Sequence, residues 1–261
     1  TMAVLTLIGN YVFGSYLGDP GIGAFGIACY YTPFVYMIGN AVAQSAQPII
    51  SYNYGTGDDR RVNSTLRVAL LAAVACGAAA SVAFMVFPYE LVELFVSRSE
   101  AAFPLAVKGF PLMAAAFVFF IVNLTLIGYF QSIERVRPAM VFALLRGLLL
   151  LVPSFIILPV VFGETGIWLA LAVSELLTMV CIATSLLIIT LVVSFANVER
   201  FFGQKQGVHL IAHITEYLHN VFGCLLLRFV AIEYATAILR TDVGTYTVGL
   251  CRIVNLEKQF A

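Results

Sequence analysis

Glu175 lies deep within a long apolar run, Gly166 to Ser194, roughly 14 Å along a helix from Gly166. Ionisable groups inside such runs are costly and mark function or pairing. Desolvation favours the neutral form of a carboxyl group, which suits proton uptake and release. Glu175 can therefore take a proton or help hold a sodium ion. A structural hydrogen bond to a neighbouring helix is its chemically silent use. Arg146 occupies another apolar run, two turns past Pro138. Snorkelling towards a membrane face is the expectation for it, and an internal salt bridge is the sharper alternative.

The neutral polar residues Asn10, Gln44, Gln47, Asn123 and Gln131 also fall on apolar runs. Asn123 and Gln44 face either another helix or a cavity, and hydrogen bonds between helices are the commoner use. Tyr30, Tyr31, Tyr36, Phe117, Phe119 and Phe120 can line an aromatic cavity for lipophilic cations. With 21 phenylalanines and 12 tyrosines, most must pack or face lipid. The candidate binding set is Glu175, Asn123, Gln44, Tyr36 and Asn10.

No metal site is expected. The five cysteines are scattered without metal spacing. His209 and His213 share a helix face, but Val208 to Thr215 lacks the glutamate of a zinc-protease pattern. Gly55-Thr56-Gly57-Asp58-Asp59 has no lysine–serine/threonine pair after it and no strand before it, so it is no phosphate loop. With no ATPase module in view, energy for any transport must come from an ion gradient.

The elements that position these residues are set by composition. The chain is 61% hydrophobic and 11% charged, with a mean hydropathy of +0.98. Soluble domains carry about 25% charge, so this chain belongs to the membrane class. Net charge is zero and no basic tract points to nucleic acid. The first residues are already apolar without a charged leader segment, so the chain reads as a fragment cut within a helix.

Six spans are expected. The first is Thr1 to Leu17, closed by Gly18-Asp19-Pro20-Gly21. The second is Gly23 to Tyr54, with bending at Pro33, Gly39 and Pro48. The third is Leu66 to Phe87, stopped by Pro88. An amphipathic link, Tyr89 to Glu100, leads to the fourth, Phe103 to Phe130. The fifth carries Pro138 in its first turn and runs to Phe162, with Pro153 and Pro159 as bends. The sixth follows Gly163-Glu164-Thr165-Gly166 and ends near Ser194. Pro33, Gln47, Pro48, Gly55 and Pro153 are the structural or hinge candidates. On the third span Ala69, Ala73, Gly77 and Ser81 form a small-residue stripe that admits a neighbouring helix closely.

Arg60, Arg61 and Arg67 follow the second span, and Arg135 and Arg137 follow the fourth. The other connections hold Asp19, Glu90, Glu93, Glu100 and Glu164 against Arg98. The positive-inside rule puts both ends of the six-span unit in the cytoplasm.

Three stretches together resemble the multidrug and toxic compound extrusion (MATE) family of secondary transporters. They are Gly39 to Gly55 with Arg60-Arg61-Val62, then Gly128-Tyr129-Phe130-Gln131-Ser132-Ile133 before Arg137-Pro138-Ala139, then Leu158-Pro159 with Gly163 and Gly166 to Ala170. Their order is similar to that of the carboxy-terminal half of such a protein. The resemblance implies an all-α integral membrane bundle, one six-helix lobe (residues 1–194) of a twelve-helix, two-lobe transporter. It implies a missing amino-terminal lobe, organic cation substrates, antiport against H+ or Na+ without a cofactor, and residence in the inner (plasma) membrane. It implies no enzyme activity.

Residues 195–261 read as an unassigned cytoplasmic extension. They hold all three histidines and six of the fourteen basic residues. Leu218 to Leu239 suits an interfacial or packed helix, and Thr241 to Val254 a strand or turn. Two alternatives to the exporter stand. A lipid-linked saccharide flippase of similar lobe design needs an arginine-rich cavity for pyrophosphate, where these spans offer Arg146. An inactive membrane fragment is the other. A membrane enzyme would need clustered His, Asp or Cys at a membrane face, and the six spans contain no histidine.

Overall fold

The computed structural model describes residues 2–202 of the chain, with side chains for residues 5–187. Among them the secondary structure is entirely helical: α1 (Met2–Gly55), α2 (Asp59–Val86), α3 (Pro88–Glu93), α4 (Ala102–Ala114), α5 (Ala116–Ser132), α6 (Val136–Leu144), a π turn (Leu145–Leu149), α7 (Leu151–Phe162) and α8 (Glu164–Phe202). Thr1–Ile182 form one compact unit and Ala183–Ala261 a second. The readings of His209, His213, Leu218 to Leu239 and Thr241 to Val254 lie outside the described residues.

Among the described residues four helices are long and apolar enough to cross a membrane, or five if the bent pair α4–α5 is one span. The first of these, within α1, is broken at Gly18 (φ 67°, ψ −160°). The break separates the stretches expected as the first and second spans. Glycine alone adopts the Gly18 conformation without penalty. The bends expected at Pro33, Gly39 and Pro48 do not interrupt α1, whose backbone stays helical at all three. Prolines are tolerated inside membrane helices where local adjustment and neighbours meet the freed carbonyls.

Helicity outlasts hydropathy at several ends. α2 starts at Asp59 rather than Leu66, because Asp58 caps it by accepting from the Arg61 N–H. The preceding turn is a Schellman close of α1: Gly57 (φ 76°) donates to the Tyr54 carbonyl and Asp58 to that of Asn53. The same bonding closes α5, where Glu134 (φ 60°) donates to Gln131 and Arg135 to Phe130. α8 runs past Ser194 to Phe202.

The fourth span bends by 45° at Ala115. The small-residue stripe of α2 is buried as Ala69, Ala73, Gly77 and Ser81. A Cβ on Gly77 would come within 2.7 Å of the Val118 Cα, and the Ser81 hydroxyl donates to the Ala114 carbonyl at 2.7 Å. Above this seam Tyr31, Phe84, Phe110 and Phe117 pack edge to face. Tyr31 donates to the Leu91 carbonyl at 2.9 Å, tying α3 to α1. Phe13 stacks on Phe25 and meets Trp168 edge-on, tying α1 to α8.

Candidate functional site

Asn123 on α5, Arg146 in the π turn and Glu175 on α8 come together in the interior. By helix rise, Asn123 lies roughly 14 Å from the Ser132 end of its helix, Arg146 roughly 15 Å from Val136 and Glu175 roughly 17 Å from Glu164. Each depth is about half of a ~30 Å hydrocarbon core. Helices crossing such a core with these ends at its faces would bring the three together near the midplane.

The Arg146 Nε donates to Glu175 Oε1 at 2.7 Å and to Oε2 at 3.0 Å. Asn123 Nδ2 donates to Glu175 Oε2 at 2.8 Å and to the Glu175 carbonyl at 2.9 Å. The guanidinium carbon sits 3.9 Å from the centroid of the Phe120 ring, a cation–π contact. Glu175 keeps 2% of its side-chain surface and Arg146 12%. A buried charge is tolerable when paired and hydrogen-bonded, and this carboxylate has both forms of support. Ser174 and Thr178, beside it on α8, return their hydroxyls to the Leu171 and Ser174 carbonyls and so do not compete.

The π turn explains how Arg146 gets there. Pro153 lacks an N–H and its ring crowds the carbonyl four residues back, that of Leu149. The backbone widens just ahead of it, where the Leu150 N–H reaches the Leu145 carbonyl at 2.9 Å instead of the next one along. Pro153 thus shapes the fifth span, but the irregularity falls N-terminal to it.

Glu175 and Asn123 are brought together as members of one cluster. Arg146 departs from the snorkelling expectation and makes the internal salt bridge, because a buried carboxylate offers more at the midplane than a distant interface. Gln44 and Tyr36 lie on an outward face of α1, and Asn10 is half-buried there, so none of these joins the cluster. Gln47 donates to Gln131 at 3.4 Å and Ser51 to the Ser132 carbonyl at 3.2 Å, linking the end of α1 to that of α5. Pro33, Pro48, Gly55 and Pro153 face outward. Of the aromatic residues, Tyr30 stacks on Phe95, while Tyr31 and Phe117 belong to the packed cluster. Phe120 serves a cation, that of Arg146.

Comparison with known proteins follows the same lines. The MatE family model matches residues 1–156. The probable multidrug resistance protein NorM of Rhizobium meliloti (strain 1021) is 31% identical over 134 residues, 51% of this chain and 26% of that protein. A solved transporter of the MOP superfamily from Pyrococcus furiosus superposes with a TM-score of 0.64 at 15% identity, over 69% of this chain and 41% of that one. An outward-facing multidrug resistance MATE family transporter of the same superfamily gives 0.64 at 17%, over 69% and 40%. The chain spans about a quarter of the curated relative and two-fifths of the solved ones.

Proposed function

We propose, since this chain belongs to the MatE family of membrane transporters, that it forms one lobe of a secondary exporter. The exporter moves amphipathic organic cations outward as H+ or Na+ moves in. An amino-terminal lobe of similar size completes it, and the two rock about a midplane site. Arg60, Arg61, Arg67, Arg135 and Arg137 put both ends of the six-span unit on the cytoplasmic side of the inner membrane.

The observation that carries the reading is the Glu175–Arg146–Asn123 cluster near the midplane. A proton or sodium ion arriving at Glu175 neutralises its charge and leaves Arg146 without a counter-ion. A lone guanidinium at that depth is costly, so ion occupancy disfavours the arrangement seen here. A ligand shifts a two-state equilibrium only through such a difference in affinity between the states, and antiport needs that difference. Gln44, Tyr36 and Asn10, on α1, are the candidates for substrate contact across the cleft between lobes. The flippase alternative asks for an arginine-rich cavity for pyrophosphate, and this cluster offers the single arginine Arg146.

In a full-length gene of which this chain is part, Glu175→Gln is expected to weaken drug resistance at matched membrane expression. Unchanged resistance with an unchanged response to external pH would remove Glu175 from the mechanism.

A further inference from the structure

We infer that the open edge of the Arg146 guanidinium is a binding position for an oxyanion, a carboxylate or phosphate borne on an amphipathic molecule. Arginine presents five N–H donors in a flat fork. Glu175 engages one of them, Nε, with both its oxygens. The usual paired geometry would use two parallel N–H groups. Here Nη1 and Nη2 have no hydrogen-bond partner among the described residues. They are not sealed away either. The buried polar side-chain atoms without a partner among those residues are Asn123 Oδ1, Glu164 Oε1 and Trp168 Nε1, whereas the Arg146 side chain keeps 12% of its surface open.

The fork is held from behind and presented forwards. Phe120 lies under the guanidinium carbon at 3.9 Å, and Glu175 fixes the Nε edge. Asn123 supplies Glu175 with a further donor, so the carboxylate is satisfied without the terminal nitrogens. The ion pair is neutral as a whole, yet its positive end is the open one. A donor set already locked in place loses little freedom when it binds.

Depth selects the occupant. An open guanidinium edge against hydrocarbon at the midplane is among the costliest placements, so binding there requires a polar space beside that edge. Lipid phosphates lie at the faces, roughly 15 Å away. The occupant is therefore a molecule lodged among the helices, with its acidic group on Arg146. This rests on the transport reading in one respect, that the polar space is the path of the transported molecule. It amends the substrate class: the molecule carries an acidic group besides any cationic character.

The test is titration of the full chain, in phosphatidylcholine nanodiscs, with dodecyl phosphate and separately with dodecyltrimethylammonium. The double variant Arg146→Gln/Glu175→Gln removes the pair together, and Arg146→Lys keeps the ion pair while losing the fork. Dodecyl phosphate is expected to bind about tenfold or more weakly to the double variant and more weakly to Arg146→Lys. Dodecyltrimethylammonium is expected to bind wild type and Arg146→Lys alike. Equal affinity of dodecyl phosphate for all three chains overturns the inference, as does Arg146-dependent binding of the ammonium probe. In discs containing phosphatidylglycerol, closure of the gap between wild type and the double variant would identify the oxyanion as a lipid headgroup. No gradient or second lobe enters the measurement, so transport can fail while the binding gap stands, and the reverse.

Discussion

Helix α5 is gripped from two sides by interfaces of opposite material. Towards α2 it meets the small-residue stripe at Gly77, a face so low that backbones nearly touch. Towards the π turn and α8 it offers Asn123 and Phe120 to a charged pair. Between helices in lipid there is no hydrophobic driving force, so association relies on close packing or on polar bonds. The first interface relies on shape and is indifferent to ions. The second relies on charge, is strong only when complete, and responds to anything that alters Glu175. The difference divides the molecule into a part built to stay and a part able to respond.

Breaking the pair is the severest test of that division. Glu175→Leu alone leaves a buried guanidinium and is expected to cost about 3–5 kcal/mol in detergent unfolding titrations, while Arg146→Met/Glu175→Leu recovers most of the loss. Equal destabilisation of the two variants would mean that shape, not charge, governs this side as well. On the other side, Gly77→Leu drives a side chain into the Val118 backbone and is expected to cost about 2–3 kcal/mol. A neutral result would show that the seam has slack. Ser81→Ala removes the bond to Ala114, and the same titration should register about 0.6 kcal/mol.

The smallest effect belongs to a third kind of contact, at the water-facing link. Arg98 donates to Glu93 at 3.0 and 2.7 Å and holds its carboxyl below the ordinary value of 4.5. A folded-state value below the unfolded one gives stability that is present above 4.5 and lost as pH falls through the lowered value. The pair is fully exposed, so the loss should be slight. Comparing Arg98→Gln with wild type across that window measures it, and identical acid profiles would show that the pair contributes nothing.

Legibility in the sequence follows the same divide. The small-residue stripe repeats every four positions on one helix, so its burial is a local property and was readable. Spans were readable because lipid demands long apolar runs. Their ends were less so, since hydropathy reports the hydrocarbon and caps such as Asp58 lie beyond it. Glu175 and Asn123 stood out singly, as polar residues at apolar depth. Their bond to Arg146 did not. It joins positions 29 residues apart, and it depends on a π turn whose trace in the sequence is one proline several residues downstream.

A π turn holds one residue more than an α-helix of the same length, so Leu145–Leu149 amounts to a one-residue insertion absorbed in place. Elsewhere in a helix, loss of a residue rotates everything beyond it by about 100°. Here it would only tighten the turn, leaving α6 and α7 with their present faces. The fifth span can thus gain or lose the means of placing Arg146 by a single codon without forfeiting the bundle around it.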